Sequence, residues 1–356
     1  MYHKNILITG GAGFVGSNLA IKLKEKYPGS EIIALDNLKR RGSELNLTRF
    51  KEKEIKFIHG DIRNKEDFEE IGKVDLILEC SAEPSVLAGL NSSPDYLINT
   101  NLLGTINCLE LARRNDSAFI FISTSRVYPI DPINKLDYLE EETRFTLADK
   151  QTIKGVSKEG ISEKFPLQGA RSLYGTTKLA SELILEEYIY SYNIKGIINR
   201  CGVITGPWQM GKVDQGVFVL WVARHIFGGK LSYIGYGGKG KQVRDFIHID
   251  DLFDIIDIQI NNIKKFSGET YNVGGGLENS VSLQELTKVC EKITGNKIEI
   301  GKVAEDRPAD LKLFISDCSK IKNLSGWKPK KNIETTVSDI VKWILDNKIR
   351  LKNILS

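Results

Sequence analysis

The sequence lacks the usual features of membrane-spanning, secreted and nucleic-acid-binding proteins. Its longest clear apolar run, Val217 to Ala223, is far shorter than the ~18 residues that a membrane-spanning helix needs. The apolar run near the N-terminus meets glycine after four residues, so it does not fit a secretory signal. The 50 basic and 46 acidic side chains leave a net charge of +4, which is too small and too evenly spread to indicate binding to nucleic acid or a membrane.

Cysteine and histidine are also scarce. The five cysteines are odd in number and widely spaced, with no CxxC motif, and the four histidines form no HExxH motif. This pattern argues against a disulfide framework and a zinc site, so we predict no metal site. Small buried thiols in a reducing compartment explain the cysteines best, which predicts a cytoplasmic protein.

The composition that remains is that of a folded α/β protein. The 356 residues are 41% hydrophobic and 27% charged, which is enough to bury a sizeable core. Short apolar runs alternate with amphipathic segments, and this order predicts βαβ units in a doubly wound parallel sheet. The predicted strands are Asn5–Thr9, Glu31–Leu35, Lys56–Ile58, Leu76–Glu79, Ala118–Ile122 and Gly196–Asn199. The predicted helices are Val15–Lys26, Ser43–Lys51, Asp67–Gly72, Tyr96–Arg114 and Tyr174–Ser191.

The pattern changes after Gly202, where the blocks become shorter and less regularly ordered. Residues 202–216 look like a loop, and a helical segment follows later at Leu283–Thr294. We therefore predict a first domain over residues 1–201 and a smaller C-terminal lobe over residues 202–356, with the chain crossing between the two.

The strongest local motif is ILITGGAGFVGSNLA, where an apolar strand runs into Gly10, Gly13 and Gly16. In a dinucleotide-binding fold, the first glycine makes the tight turn and the second lets the backbone approach a pyrophosphate. The third lets helix and strand pack closely. The helix N-terminus, at Phe14 and Val15, supplies amide donors and a partial positive charge. The motif therefore predicts a Rossmann-type fold.

An acidic residue stands where such a fold needs one. Asp36 lies 20 positions beyond Gly16, at the end of the second predicted strand, with Asn37 beside it. A carboxylate there accepts hydrogen bonds from the adenosine ribose and repels a 2′-phosphate, which favours NAD over NADP. The basic run at 39–41 keeps NADP as an alternative. Asp61 and Ile62, after the third strand, are predicted to lie beside the adenine, although Asp61 also suits an ordinary turn.

A second constellation follows downstream. Tyr174 and Lys178 are four residues apart on a predicted helix, so they share one face. A tyrosine hydroxyl titrates near ~10, and a neighbouring ammonium brings it toward use as a base near neutral pH. Upstream, the strand FIFIST ends in Ser123 and Thr124, whose hydroxyls are expected to open onto the cofactor crevice.

Together these motifs resemble the extended short-chain dehydrogenase/reductase superfamily, the NAD-dependent epimerases and dehydratases of nucleotide sugars. The match extends over the whole chain and includes Asn101 in NTNLLGT and the later NVGGG. The resemblance implies that Tyr174 removes a sugar hydroxyl proton, Lys178 binds the nicotinamide ribose, and Thr124 hydrogen-bonds the reacting oxygen. The predicted NAD contacts are Gly10, Gly13, Phe14, Val15, Gly16, Asp36, Asn37, Asp61, Ile62, Ser81, Ala82, Asn101, Ser123, Tyr174 and Lys178.

Two departures bear on the reaction. Dehydratases of this superfamily typically carry Asp-Glu directly after the threonine, but here those positions are Ser125 and Arg126, which leaves elimination of water without its acid and base. Forty-five residues separate Tyr128 from Tyr174, a longer link than simple 4-epimerases usually have. This insert, with CGVITGPWQMGKVDQG and GGKGKQVRD, resembles the CDP-paratose 2-epimerase (CDP-tyvelose epimerase) group. A UDP-hexose 4-epimerase is the second candidate and a 4,6-dehydratase the third.

The resemblance also implies a nucleotide-sugar substrate and its contacts. Arg244 and Arg307 match phosphate-binding arginines, although Arg307 also suits a surface position. The predicted substrate-binding residues are Thr124, Ser125, Arg126, Gln209, Asp214, Gln215, Arg244 and Arg307. Family members commonly form dimers or tetramers through the helices near 96–114 and 174–191, so we expect a homodimer or homotetramer. These apolar faces could equally pack within one chain. A non-catalytic NAD sensor would show a damaged triad, whereas here the triad is complete.

Overall fold

In the computed structural model, the alternating apolar runs form strands and the amphipathic segments form helices. The structure describes residues 3–211 and 215–355. In chain order the strands are β1 Asn5–Thr9, β2 Glu31–Asp36, β3 Lys56–His59, β4 Leu76–Glu79, β5 Ala118–Thr124, β6 Tyr138–Glu140, β7 Phe145–Leu147, β8 Val156–Ser157, β9 Gly160–Ile161, β10 Gly196–Cys201, β11 Val203–Thr205, β12 Leu231–Ile234, β13 Val243–His248, β14 Glu269–Val273, β15 Ser280–Ser282, β16 Ile300–Val303 and β17 Leu313–Phe314. The helices are α1 Phe14–Lys26, α2 Asn46–Glu52, α3 Asp95–Ile98, α4 Gly104–Asn115, α5 Ile130–Asn134, α6 Leu173–Tyr192, α7 Val217–Phe227, α8 Ile249–Asn261, α9 Ile263–Phe266, α10 Leu283–Thr294, α11 Ser319–Ser325, α12 Ile333–Asp346 and α13 Lys348–Leu355.

Seven strands form the main sheet in the order β14-β10-β5-β4-β1-β2-β3. The pairs β1–β2, β2–β3, β1–β4 and β4–β5 are all parallel. The strand order reverses direction along the chain at β1, because β2 lies on one side of it and β4 on the other. Loops that follow such a switch point are where open α/β sheets bind ligands. The predicted α/β fold, a Rossmann-type doubly wound parallel sheet, is confirmed.

Two compact units divide the chain. The first unit contains Met1–Thr124, Leu173–Arg200 and Phe253–Thr270, and the second contains Ser125–Ser172, Cys201–Leu252 and Tyr271–Ser356. In the second unit, β11, β13 and β15 form a small sheet and β17 also pairs with β13. The division at residue 201 that the sequence suggested stays a prediction.

One apolar core fills the face of the first unit's sheet that α4 and α6 cover. It includes Leu7, Ile77 and Phe119 from three neighbouring strands, Cys108 from α4 and Leu185 from α6. Burial of such side chains contributes about 1.5–3 kcal/mol each to folding. The carboxyl ends of β1, β4 and β5 are therefore fixed in register beneath two helices.

Three predicted elements differ in the structure. Of the helix predicted at Asp67–Gly72, only a 3₁₀ turn at Glu66–Phe68 forms, because a segment this short cannot offset the cost of nucleating an α-helix. The helix predicted at Tyr96–Arg114 is interrupted by a π-helical turn at Asn99–Leu103, which adds a residue to the turn that carries Asn101. The loop predicted at 202–216 contains the short strand β11, which pairs with β13.

Over residues 3–211 and 215–355, no helix is both long and apolar enough to cross a membrane. The five cysteines, all of which the structure describes, form no disulfide.

Candidate active site

The glycine-rich motif forms a turn that admits no side chain at two positions. Gly10 has a φ of +61°, and a Cβ atom there would lie 2.8 Å from the amide nitrogen of Ser81. At Gly16 a Cβ atom would lie 2.3 Å from the carbonyl oxygen of Gly10. The loop after β1 thus meets both the loop after β4 and the start of α1. Glycine is required here by close backbone approach.

The first turn of α1 suits an anionic group. Gly13 stands at the N-cap in an extended conformation, and it has no side chain with which to cap the helix. Phe14 and Val15 begin the helix, and its first turn carries no acidic side chain. Amide donors and the positive end of the helix dipole are therefore available to a pyrophosphate. These features fit the dinucleotide that the sequence predicts.

Asp36 lies at the end of β2, next to this turn. Its carboxylate accepts hydrogen bonds from the amides of Ala12 at 3.1 Å and Leu38 at 2.8 Å. Burial raises the pKa of Asp36, and these backbone hydrogen bonds act in the opposite direction. The carboxylate is thus held at the edge of the glycine turn, where it can meet a ribose.

Asn37 and Asp61, both predicted cofactor contacts, touch each other. Asn37 Nδ2 donates to Asp61 Oδ2 at 2.8 Å, and Arg63 donates to the same carboxylate at 2.7 Å. Burial would raise the pKa of Asp61, but the hydrogen bonds from Arg63 and Asn37 outweigh it and lower the pKa to about 2. Sequence analysis missed Arg63, although its place two residues after Asp61 allows this pairing. Ile62 is buried, and its carbonyl accepts a hydrogen bond from Asn107 at 2.8 Å.

The segment after β4 is fastened by Asn101. The fully buried Asn101 accepts a hydrogen bond from the amide of Glu83 at 2.7 Å and donates to the carbonyl of the same residue at 3.1 Å. Its amide also donates to Thr177 on α6 at 3.2 Å. Ser81 and Ala82 lie at the start of this segment. Asn101 thus orders the loop that carries them, and its direct contact with a cofactor stays a prediction.

The predicted catalytic residues lie in the first unit, on two of its elements. Thr124 is the last residue of β5, where its side chain is buried. Tyr174 lies in the first turn of α6 and is half-buried, and Lys178 follows one turn later with only 1% of its side chain exposed. Of these two residues, Tyr174 is therefore the more accessible, while the ammonium group of Lys178 is enclosed.

Lys178 has a partner that sequence analysis missed. Its Nζ lies 3.7 Å from Oε2 of Glu79 and 3.8 Å from the ring centroid of Phe121. Complete burial raises the pKa of Glu79 to about 7, and the charge of Lys178 opposes this rise. An acidic residue at the end of the otherwise apolar strand LILE was the available signal.

A second buried ion pair fixes the end of β5. Ser123 donates a hydrogen bond to Glu182 on α6 at 2.5 Å, and Arg200 on β10 donates to the same carboxylate at 2.6 Å. The hydroxyl of Ser123, a predicted cofactor contact, is thus bonded to Glu182 in this structure. Its role toward a cofactor stays a prediction.

In the second unit, three predicted substrate-binding arginines meet one short segment. Arg244 donates to Asp310 at 2.9 Å, and Arg307 lies 3.9 Å from the other carboxylate oxygen. Arg126 follows Ser125 in a 3₁₀ turn and donates to the carbonyl of Ala309 at 3.1 Å. The segment 307–310 therefore gathers positive charge, with Asp310 as its internal counter-ion.

Three further residues, Gln209, Asp214 and Gln215, are predicted substrate contacts. The side chain of Gln209 is used within its own loop, where its amide donates to the carbonyl of Ile204 and accepts from Thr205, both at 3.0 Å. Gln215 is half-buried, and Asp214 lies outside the described residues.

Within the part of the chain that the structure describes, no group of three or more His, Cys, Asp or Glu side chains is placed to hold a metal ion.

Comparison with known proteins identifies the family to which the chain is similar. A family model described as "NAD dependent epimerase/dehydratase family" matches residues 6–274. The chain is 31% identical to the CDP-paratose 2-epimerase of Salmonella typhi over 348 residues, which cover 95% of this chain and 98% of the relative.

Two solved structures are also similar over almost their full length. The UDP-glucose 4-epimerase of Thermotoga maritima, solved with UDP-glucose, has a TM-score of 0.77 and 26% identity, covering 97% of this chain and 99% of that one. The dTDP-glucose 4,6-dehydratase of Bacillus anthracis, solved in complex with NAD, has a TM-score of 0.76 and 27% identity, covering 98% and 99%.

Proposed function

Because this chain belongs to the NAD dependent epimerase/dehydratase family, we propose that it inverts carbon 2 of a CDP-linked deoxyhexose. The family match confirms the resemblance seen in the sequence, and with it NAD as the cofactor. The chain is therefore an enzyme of a nucleotide-sugar epimerase and dehydratase family. The glycine turn, the start of α1 and Asp36 would hold the dinucleotide.

The residues at the end of β5 and the start of α6 have the chemistry that such a reaction needs. NAD, when bound, supplies a hydride acceptor that returns the hydride to the sugar. Tyr174 takes the proton of the reacting hydroxyl, Lys178 binds the nicotinamide ribose, and Thr124 hydrogen-bonds the reacting oxygen. The transient keto sugar is then reduced on its other face.

The observation that carries the choice of epimerase is the pair of residues after Thr124. Ser125 and Arg126 stand where elimination of water would need an acid and a base, and neither carries a carboxylate. Arg126 donates to the carbonyl of Ala309. This arrangement supports oxidation and reduction without elimination.

The choice of carbon 2 and of CDP rests on similarity. The relative from Salmonella typhi is named a CDP-paratose 2-epimerase, and its match extends over 95% of this chain. The second candidate, a UDP-hexose 4-epimerase, is favoured by the structural similarity to the enzyme solved with UDP-glucose. In either case the arginines at 126, 244 and 307 suit a nucleotide diphosphate, because guanidinium groups bind phosphate through paired hydrogen bonds.

The test is an isotope experiment with purified protein. CDP-paratose carrying deuterium at carbon 2 should give the 2-epimer with deuterium still at carbon 2, because the hydride returns to the carbon it left. Reduced nicotinamide should not accumulate. NMR identifies the inverted carbon and mass spectrometry follows the label. Inversion at carbon 4 of a UDP-hexose, with CDP-sugars unchanged, would contradict the proposal and establish the second candidate.

We also propose that the chain forms a homo-oligomer and that it is located in the cytoplasm. Several apolar or aromatic side chains of α6 are exposed in the first unit, namely Leu173, Leu183, Tyr190 and Tyr192. Leu183 and Tyr190 are seven residues apart and so share one face of the helix, which supports pairing with the same helix of a second copy, and hence a homodimer or homotetramer. Five cysteines without a disulfide support a cytoplasmic location.

A further inference from the structure

Three side chains lie side by side across neighbouring strands of the first unit. Glu79 on β4 lies between the other two: in the sheet register it pairs with Thr9 on β1 and with Phe121 on β5. Residues two apart in a strand share a face, so Glu79 lies on the same face as Ile77. That face is the core covered by α4 and α6. Glu79 therefore ends an apolar row with a carboxyl group.

This carboxyl group has almost no conventional support. Glu79 is fully buried, and by strict geometry neither of its carboxylate oxygens nor the hydroxyl of Thr9 makes a hydrogen bond to a described residue. The amide of Ser81 and the hydroxyl of Thr9 are nevertheless close enough to favour the ionised carboxylate. The ammonium of Lys178, 3.7 Å away, is the charged group that approaches it. A buried carboxylate with few well-placed donors is costly, and so is a buried ammonium without a counter-charge. Each therefore compensates the other.

We propose that Glu79 is a positioning residue for Lys178: its carboxylate draws the ammonium to the end of the sheet and keeps it charged, ready to bind the dinucleotide. The inference rests on the proposed function only through the assignment of Lys178 to the cofactor. The identity of the sugar has no part in it.

The pair changes its charge near neutral pH. Burial raises the pKa of Glu79 to about 7, so the carboxyl group is neutral below this pH and ionised above it. Among the described residues, the thiol of Cys108 on α4 also interacts with Glu79, and burial raises the pKa of that thiol well above its ordinary value. Cys108 thus stays neutral across this range. The attraction between Glu79 and Lys178 is strong above about pH 7 and weak below it.

The first test measures NAD binding to the full-length protein, freed of dinucleotide, by calorimetry and with no sugar present. For the wild-type protein, affinity should rise about tenfold between about pH 6 and about pH 8, as one linked proton is released. Glu79→Gln should bind about tenfold more weakly at the higher pH and lose most of this pH dependence. In the Lys178→Met background, adding Glu79→Gln should cause no further loss, because the interaction is already gone.

Two variants serve as controls. Cys108→Ser changes a neutral neighbour of Glu79 and should keep the pH dependence, while Glu79→Asp keeps the charge and should restore part of the affinity. If Glu79→Gln folds and binds NAD with wild-type affinity and pH dependence, the proposal is wrong. It is equally wrong if the losses from Glu79→Gln and Lys178→Met simply add.

The second test observes the carboxyl group itself and does not depend on binding. Infrared difference spectra should show a protonated carboxyl band that titrates near pH 7 and is absent from Glu79→Gln. In Lys178→Met the same band should titrate at higher pH, because the opposing charge is removed. A band that does not respond to Lys178→Met would overturn the inference. Failure of the sugar epimerisation assay would leave both tests unaffected.

Discussion

The two units place their charges in different environments. In the first unit, the pairs Lys178–Glu79 and Arg200–Glu182 are enclosed, with no side chain more than 5% exposed. In the second unit, Arg244 is 19% exposed and Arg307 is 38% exposed. Breaking an enclosed pair leaves a buried charge, whereas a partly exposed arginine can exchange its partner for water.

This difference separates two tasks. Enclosed pairs hold the predicted catalytic groups of the first unit in one arrangement, which catalysis by oriented side chains requires. Partly exposed arginines around 307–310 can release Asp310 and accept an external anion at little cost. The comparison therefore predicts that substitutions in the first unit affect turnover or folding, and those in the second affect substrate affinity.

The largest effect is expected from Tyr174→Phe, because it removes the hydroxyl proposed to take the proton and little else. Turnover should fall about 10²–10⁴-fold while NAD stays bound. The measurement is steady-state kinetics together with the dinucleotide content of the purified variant. Tyr190→Phe is the matched control, since Tyr190 lies on the same helix with 87% of its surface exposed. Near-full turnover by Tyr174→Phe would show that another group is the base.

The next effect compares one carboxylate from each unit. Glu182→Gln should lower the free energy of unfolding by about 3–5 kcal/mol, because it leaves Arg200 buried without a counter-charge. Asp310→Asn should lower it by about 1 kcal/mol or less, since Arg244 is partly exposed to water. Chemical denaturation of both variants, measured beside the wild type, gives the two values. Equal losses would mean that enclosure does not distinguish the two units.

Local chemistry explains what the sequence predicted well. The glycine motif, Asp36 and the pair Tyr174–Lys178 each lie within one or two consecutive elements, so a pattern of neighbouring residues places them in the fold. Their roles toward cofactor and substrate stay predictions. The parallel strands were recognisable because both faces are buried and their runs are apolar. The residue carried by the π-helical turn, Asn101, was also singled out from its motif.

The missed residues depend on contacts between distant parts of the chain. Glu79 and Lys178 meet only because β4 and α6 pack together, and no periodicity within either segment shows it. Glu182 and Arg200 likewise pair across α6 and β10. Gln209, a predicted substrate contact, donates its amide to the carbonyl of Ile204 in its own loop, and its role toward a substrate stays a prediction. Polar residues in loops often satisfy local backbone groups, and sequence alone does not distinguish the two uses.

The smallest effect tests the comparison within the first unit, because the pair Asp61–Arg63 there is partly exposed. Hydrogen bonds lower the pKa of Asp61 to about 2 from an ordinary value of 3.8, so its ionised form stabilises the fold above pH 3.8, and this contribution is lost as the pH falls through about 2. Since 35% of the Arg63 side chain is exposed, the contribution should be about 1 kcal/mol or less. Thermal unfolding of the wild type and Asp61→Asn across this acidic range should show the difference in their stability narrowing as the pH falls.

Glu79 should act in the opposite direction. Its raised pKa means that stability is lost as the pH rises through about 7, so the stability of Glu79→Gln relative to the wild type should increase there. If both variants followed the same trend with pH, enclosure would not be the property that separates these two carboxyl groups.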